Sequence, residues 1–199
     1  MLNADREIVQ PLLEPGERLI EAAKVSLAPG IARPPEELLT PRQPSQLEQK
    51  LARPFNVLRR AYAVVNPVSA AVGAVEDRVA SAAPERALHG TGMGGDWASA
   101  AGRFVIRMYE DGAYASGLLT VTDRRVLMVV DRSAIWQLLS EQHAVQWAVQ
   151  RGELAEFRRN AKGVLQRGRI DLVFRDGSWA GVSADLPRNA DPLVAAFSG

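Results

Sequence analysis

In the second half of the chain, hydrophobic and polar positions alternate with a period close to two, which is typical of β-strands that bury one face. The clearest alternation runs through Phe104, Ile106 and Met108, and through Ile170, Leu172 and Phe174. With the turn residues between these runs, the pattern predicts a series of strands. They are 103–109, 116–122, 125–130, 145–150, 154–159, 168–175 and 178–184. A short helix over 191–197 is predicted to close the chain.

The N-terminal part, 1–27, is predicted to hold a short helix and a first strand. The helix covers 5–14 and ends before a Pro-Gly pair. The apolar positions of 17–27 do not fix a period, but Pro-Gly pairs bound this stretch on both sides and favour a strand. The next segment, 28–44, contains five prolines and is predicted to be a linker, because proline interrupts both helices and sheet ladders.

Residues 45–101 are predicted to form a helical insertion followed by a glycine-rich linker. Ser45-Gln46-Leu47-Glu48 matches a capping box, which marks the start of a helix. Apolar residues then recur at helical spacing at positions 47, 51, 55, 58, 62 and 65, with Pro54 as a kink or break. Asn66-Pro67 begins a second helix that ends near Pro84, so the pattern predicts a helical hairpin.

Composition limits the class of protein more than it identifies a function. The hydrophobic content of 47% is ordinary for a globular chain, and the net charge of +1 is too small for a general nucleic-acid binder. The absence of cysteine excludes disulfides, thiolate metal sites and cysteine nucleophiles. The N-terminus lacks the apolar core of a signal peptide, and the longest uncharged run, 61–75, is short for a spanning helix. These features predict a cytoplasmic protein, with peripheral attachment to a membrane left open.

Three segments of the second half occur in a recognisable order. Residues 117–125 read as strand, Thr-Asp-Arg-Arg turn and strand, 147–154 hold a tryptophan-bearing strand, and 170–182 read as a hairpin with an Asp-Gly turn. In this order they resemble the bacterial PH-like and GRAM-like domain family, over 102–199 and with 15–25 as a first strand. The resemblance implies an α+β fold, a PH-like antiparallel β-sandwich (split barrel) with a short C-terminal helix, here with the helical hairpin inserted after the first strand.

The chain departs from that family at two places. Phe197 stands in the closing helix where eukaryotic PH domains usually place a tryptophan. The first inter-strand loop, which contributes the lipid site of phosphoinositide-binding PH domains, is replaced by residues 28–101. The resemblance therefore assigns no lipid-binding residue to this chain.

The Thr-Asp-Arg-Arg turn also has a direct structural interpretation. The Asp123 carboxylate is expected to accept hydrogen bonds from amides two residues further on, as in an Asx-turn, while Arg124 and Arg125 lie over the sheet. The tryptophans are interpreted as core or sheet-covering residues; they are Trp97, Trp136, Trp147 and Trp179.

No motif in the sequence predicts a catalytic, metal or cofactor site. Gly90–Gly95 matches G-x-G-x-x-G, but no strand pattern precedes it and no parallel strand follows, so it is predicted to be a linker. The two histidines, His89 and His143, have no partner at metal-ligand spacing. Neither a G-x-S-x-G elbow nor an H-E-x-x-H motif occurs.

A basic hairpin is the first candidate binding surface. Its cations are Arg158, Arg159, Lys162, Arg167 and Arg169. They could contact an anionic headgroup or an acidic partner, because the arginine guanidinium matches the geometry of phosphate. Alternatively, they could be solvated, with their charge balanced by Glu153 and Glu156. At about 1 kcal/mol per basic residue, five would give a Kd of roughly 0.2 mM on an anionic bilayer, which is weak without a second anchor.

The helix that begins at Ser45 could provide that second anchor. Its candidate contacts are Lys50, Arg53, Phe55, Arg59 and Arg60. Cations beside an apolar stripe occur on helices that lie on membranes, on helices that bind a partner, and on helices that pack against their own domain.

The sequence therefore predicts a non-enzymatic binding or scaffolding module of PH-like type whose partner is a protein. A peripheral membrane module that binds anionic lipid is the alternative, and an unrecognised enzyme is the third possibility. No nucleic-acid partner and no cofactor are predicted.

Overall fold

A computed structural model of the chain describes residues 3–39, 90–110, 116–132, 142–161 and 166–199. Several sequence predictions lie outside these ranges. They are the helical hairpin with Lys50, Arg53, Phe55, Arg59 and Arg60, together with His89, Trp136 and Lys162.

The described residues form three α-helices and eight strands. The helices are α1 (Asn3–Val9), α2 (Ala100–Tyr109) and α3 (Ala190–Ser198). The strands are β1 (Leu19–Leu27), β2 (Met93–Gly94), β3 (Ser116–Thr122), β4 (Arg125–Asp131), β5 (His143–Gln150), β6 (Leu154–Arg159), β7 (Arg169–Phe174) and β8 (Trp179–Ala184). A 3₁₀ turn, Gln10–Leu12, extends α1. The predicted first strand, the six strands after residue 115 and the closing helix are confirmed within a few residues at each end.

The strands form one open sheet in the order β5-β4-β3-β1-β8-β7-β6, with the short β2 paired to β8. Every pairing is antiparallel. β1 joins the two halves, because it pairs with β3 along most of its length and with β8 at its last three residues. The structure is therefore an α+β fold on an antiparallel eight-stranded sheet whose edges are β5 and β6.

The strand predicted over 103–109 is wrong, because this segment is the helix α2. Its fully buried apolar residues are Ala101, Phe104, Val105 and Met108, spaced as on one face of a helix, whereas Ile106 is only half-buried. The Ser99 hydroxyl accepts a hydrogen bond from the Gly102 amide at 3.1 Å and caps the helix. The apolar residues of 103–109 fit both a strand period of two and a helical period of 3.6. The segment adopts the helix, because only the helix buries Val105.

The main core lies between the inner face of the sheet and the helices α2 and α3. Phe104 of α2 meets the ring of Trp147 edge-on, with centroids 4.8 Å apart, and Trp147 meets Phe174 in the same way at 6.2 Å. Phe197 of α3 stacks on Phe157 of β6 with centroids 4.4 Å apart. Ile170, Leu172 and Phe174 are buried as the alternation predicted, and Trp97 and Trp147 pack against this core.

A second apolar cluster covers part of the outer face of the sheet. It contains Val9, Ala22, Leu118, Leu127 and Val129. Ile8, Leu12 and Leu13, from α1 and the turn after it, pack on this cluster. β3 and β4 are therefore buried on both faces, which explains why their sequences are continuously hydrophobic rather than alternating.

Candidate functional site

The basic hairpin contains a buried ion pair rather than a row of solvated cations. Arg169 is completely buried, so the expectation that it is solvated is wrong. Its Nε donates to Asp171 Oδ1 at 2.9 Å, one terminal nitrogen donates to Gln166 Oε1 at 2.8 Å, and the other donates to the Thr91 carbonyl at 2.9 Å. These bonds satisfy the guanidinium internally and join β7 to the segment before β2.

Acidic residues also face two further cations of the hairpin. Arg159 donates from Nε to Asp191 Oδ1 of α3 at 2.7 Å. Arg158 lies 3.6 Å from both Glu156 and the buried Asp171. Arg167 is exposed and forms no ion pair with a residue that the structure describes. Use of this surface for anions stays a prediction, and the internal acids work against it because they neutralise the charge an anion would need.

The glycine-rich segment packs closely against its neighbours. β2 pairs with β8, and a Cβ atom at Gly94 would overlap the ring of Trp179. A Cβ at Gly92 would collide with the backbone of Ile31. These glycines are therefore explained by close backbone approach, as expected for glycine within a strand.

The helix that follows the glycine-rich segment has no amides free for a phosphate at its N-terminus. The Ala100 amide donates to Asp176 Oδ2 at 2.8 Å, and the Ala101 amide donates to the Ser178 hydroxyl at 3.0 Å. Hydrogen bonds from the Ser178 hydroxyl and the Ala100 amide lower the pKa of Asp176. The anion at this helix end is thus an internal carboxylate from the β7–β8 turn.

The Thr-Asp-Arg-Arg turn is held by its threonine rather than by its aspartate. Thr122 Oγ1 accepts hydrogen bonds from the amides of Arg124 at 3.2 Å and Arg125 at 2.8 Å. Asp123 instead accepts hydrogen bonds from the Arg18 amide at 2.9 Å and from Arg18 Nε at 3.3 Å. The hydrogen bond from the Arg18 amide is the main cause of the lowered pKa of Asp123. The predicted Asx-turn at Asp123 is therefore wrong, and this carboxylate links the turn to the residue before β1.

A buried carboxylate completes this link. Glu17 accepts bonds from Arg125 Nε at 3.0 Å, a terminal nitrogen of Arg125 at 2.6 Å, the Thr122 hydroxyl at 2.6 Å and the Glu14 amide at 2.9 Å. The Arg125 bonds lower the pKa of Glu17 to about 2, although burial acts in the opposite direction. These bonds tie the residues before β1 to the turn between β3 and β4.

The edge strand β5 has backbone groups that face away from the sheet. The Arg151 amide donates to the Arg124 carbonyl at 2.9 Å, and the Arg132 amide donates to the Gln142 carbonyl at 2.7 Å. Because hydrogen-bonded and non-bonded pairs alternate along an antiparallel ladder, the register then directs the amides and carbonyls of four β5 residues outward. These residues are His143, Val145, Ala148 and Gln150. Among the described residues, no backbone hydrogen bond is formed by the outward groups of Val145 and Ala148 or by the outward amide of Gln150. The Gln150 carbonyl begins the 3₁₀ turn Arg151–Glu153.

A β-bulge fixes the position of this strand. The register between β4 and β5 shifts at Met128 and Val129, which leaves Gln146 as the extra residue. Gln146 is buried; its Nε2 donates to the Arg107 carbonyl of α2 at 2.7 Å, and its Oε1 accepts from Arg132 at 2.7 Å. The edge is therefore held in place from α2 on one side and from the end of β4 on the other.

A groove of about 730 Å³ opens beside the first residues of β5. One wall consists of Glu7, Ile8, Pro11 and Leu12, and the other of Arg132, Gln142, His143 and Ala144. The groove is mainly apolar, with charged groups at its rim. Neither this groove nor the edge position of β5 can be read from the sequence, because both depend on the order of the strands.

No group of His, Asp or Glu residues within the described ranges is arranged to hold a metal ion. In the same ranges, no helix has the length and apolar character needed to cross a bilayer. No protein-family model matches the sequence, and neither does any curated protein.

Proposed function

We propose that this protein is a non-enzymatic binding module of PH-like type, and that it binds a partner protein by adding an extended segment to β5. The order of the sheet supports a PH-like assignment. β1, β3, β4 and β5 form one antiparallel series and β6, β7 and β8 form another. α3 packs on β6, where Phe197 stacks on Phe157, so a C-terminal helix covers one end of the sheet.

The observation that carries the proposal is the edge of β5, which contains no charged residue or proline and has no described strand beside it. Natural sheets protect exposed edges with charged residues, prolines, β-bulges or covering elements, because free amides and carbonyls recruit other strands. The bulge at Gln146 divides this edge, and the outward amides of Ala148 and Gln150 lie on the regular part after it. β5 reads His-Ala-Val-Gln-Trp-Ala-Val-Gln and contains no Asp, Glu, Lys, Arg or Pro. An eight-residue edge of this composition suits β-augmentation, in which main-chain hydrogen bonds to a partner segment provide the affinity.

The opposite edge shows the contrast within the same molecule. β6 carries Glu156, Arg158 and Arg159, and α3 packs on its inner face. Arg159 pairs with Asp191 of that helix, so charged side chains protect this edge. Within the described part of the sheet, one edge is thus charged and the other is not, which favours β5 as the surface for a partner.

The experiment measures binding of peptides to the full chain. Peptides are selected from a phage-displayed library of random dodecapeptides, and their affinities are measured by fluorescence anisotropy. Ala148→Pro removes an outward amide on an exposed edge position, where proline is tolerated, whereas Ala148→Thr adds bulk but keeps the amide. We expect Ala148→Pro to weaken binding at least tenfold and Ala148→Thr to bind like the wild type.

Hydrogen exchange provides a test that does not depend on the variant. In the free protein, the amides of Ala148 and Gln150 should exchange quickly and those of Val126 and Met128 slowly. A bound peptide should slow exchange at Ala148 and Gln150. Unchanged exchange there, or full affinity in a correctly folded Ala148→Pro variant, would refute binding at this edge.

A further inference from the structure

We infer that the segment bound by β5 ends in a bulky apolar side chain with a lysine or arginine beside it, and that both occupy the groove between α1 and β5. This inference rests on the proposed function, because the free edge of β5 sets the position of the segment. It adds the chemistry by which a partner would be recognised.

The groove is a continuation of the free edge. Val145 has an outward backbone and packs on the same outer cluster as Ile8 and Leu12. Ala144, the residue before it, lines the groove. A segment paired along Val145–Gln150 covers about 14 Å at the usual rise of a strand, because the bulge at Gln146 adds a residue but no length, and one or two more residues bring the segment over the groove.

The direction of the segment decides which of its ends reaches the groove. β5 begins at the groove with His143 and ends away from it at Gln150. Antiparallel pairing is slightly more stable per residue than parallel pairing. The groove should therefore receive the C-terminal residues of the bound segment.

The walls determine which side chains fit. Ile8, Pro11, Leu12 and Ala144 give the groove an apolar surface, which suits a large aliphatic or aromatic side chain. Such a side chain would extend the outer cluster rather than form a separate contact, because Ile8 and Leu12 already belong to that cluster.

The charge at the rim selects the second residue. Arg132 donates to Gln146 Oε1 at 2.7 Å, so one of its terminal nitrogens is bound within the fold while its positive charge is kept. Glu7 is exposed and forms no hydrogen bond or ion pair with any described residue. A carboxylate that no described residue pairs with, at the rim of an apolar groove, is complementary to a lysine or arginine on the incoming segment.

The test uses the peptides selected from the dodecapeptide library, synthesised with their consensus sequence and in two altered forms. One form replaces the apolar residue by alanine, and the other replaces the basic residue by glutamate. Binding is measured to the wild type, to Glu7→Lys and to Glu37→Lys. Glu37→Lys is the control, because it makes the same charge change at an exposed position outside the groove.

We expect the consensus to place a basic residue within two positions of a large apolar one. Glu7→Lys should weaken binding of the consensus peptide about tenfold, whereas Glu37→Lys should not. The peptide with glutamate should recover affinity for Glu7→Lys, because the charges are then exchanged across the same contact.

The outcomes separate this inference from the function on which it rests. If Ala148→Pro abolishes binding while Glu7→Lys behaves like Glu37→Lys, the edge is the binding surface and the inference about the groove is wrong. If Ala148→Pro binds normally, both are wrong. A library that yields no peptide with greater affinity for the wild type than for Ala148→Pro also refutes both.

Discussion

The buried carboxylate of Glu17 should make the stability of the fold depend on acid pH. The residue before β1 is linked through this group to the turn between β3 and β4, since Thr122 and Arg125 both donate to it. Glu17→Gln keeps the size of the side chain but removes its charge. In the wild type, both carboxylate oxygens of Glu17 face hydrogen-bond donors. Glutamine replaces one of these oxygens by an NH₂ group, which then faces a donor.

The pKa of the carboxyl gives the magnitude and the pH range. Its ordinary value of 4.5 falls to about 2 in the folded protein. Because the unfolded chain binds the proton first as pH falls, the stabilisation is complete above about pH 4.5 and is lost as pH approaches 2. At about 1.4 kcal/mol per pKa unit, the contribution at neutral pH is about 3 kcal/mol.

Urea denaturation followed by tryptophan fluorescence, at pH 7, 5, 4, 3 and 2.5 and constant ionic strength, measures this contribution. Glu17→Gln should lower the free energy of unfolding by about 3 kcal/mol at pH 7 and by less than about 1 kcal/mol at pH 2.5. Other carboxyl groups titrate in both proteins and cancel in the difference. A difference that stays constant across this range would refute the reasoning.

Glu14→Gln is the matched control. Glu14 lies in the same turn and contacts the same arginine, with its Oε1 2.8 Å from a terminal nitrogen of Arg125, but its side chain is 54% exposed. A solvated pair contributes little, so the loss should stay below about 1 kcal/mol. An equal loss in both variants would show that the charge of the turn, rather than the burial of Glu17, sets the stability.

Two further predictions concern the core and the hairpin. Phe174→Ala should lower the free energy of unfolding by about 3–5 kcal/mol, because the ring is buried against Trp147; a loss below about 1 kcal/mol by urea denaturation would contradict its place in the core. Arg169→Gln should cost about 3–5 kcal/mol by removing the buried partner of Asp171 and leaving it only the half-exposed Arg158, whereas the exposed Arg167→Gln should stay within about 0.5 kcal/mol. Similar melting temperatures for these two arginine variants would show that Arg169 is not held in the buried pair.

The local pattern of the chain determined most of its strands. β6 covers Leu154–Arg159 as predicted, and β3 covers Ser116–Thr122, because turn residues bound both runs. The prediction for 103–109 failed because its seven residues satisfy a period of two and a period of 3.6 together. Only the packing of Val105 into the main core decides for the helix.

The distribution of charge could not be obtained from local sequence. Asp171 pairs with Arg169 two residues away on β7, but it reaches Arg158 only because β6 and β7 are neighbours, and Asp191 is 32 residues from its partner Arg159. Glu17 and Thr122 meet across 105 residues in the same way. A count of charges within a window therefore overestimated the exposed positive surface, because ion pairing depends on which strands become neighbours.

The candidate site depends entirely on tertiary structure. The sequence of β5 shows that it is a strand without Asp, Glu, Lys, Arg or Pro, but such a strand could equally lie at the centre of a sheet. Its place at the end of the order β5-β4-β3-β1-β8-β7-β6 leaves the outward groups of Ala148 and Gln150 without a neighbouring strand. The sequence by itself determined most of the strands, since periodicity is local, whereas the pairing of strands decided which backbone groups remain free for a partner.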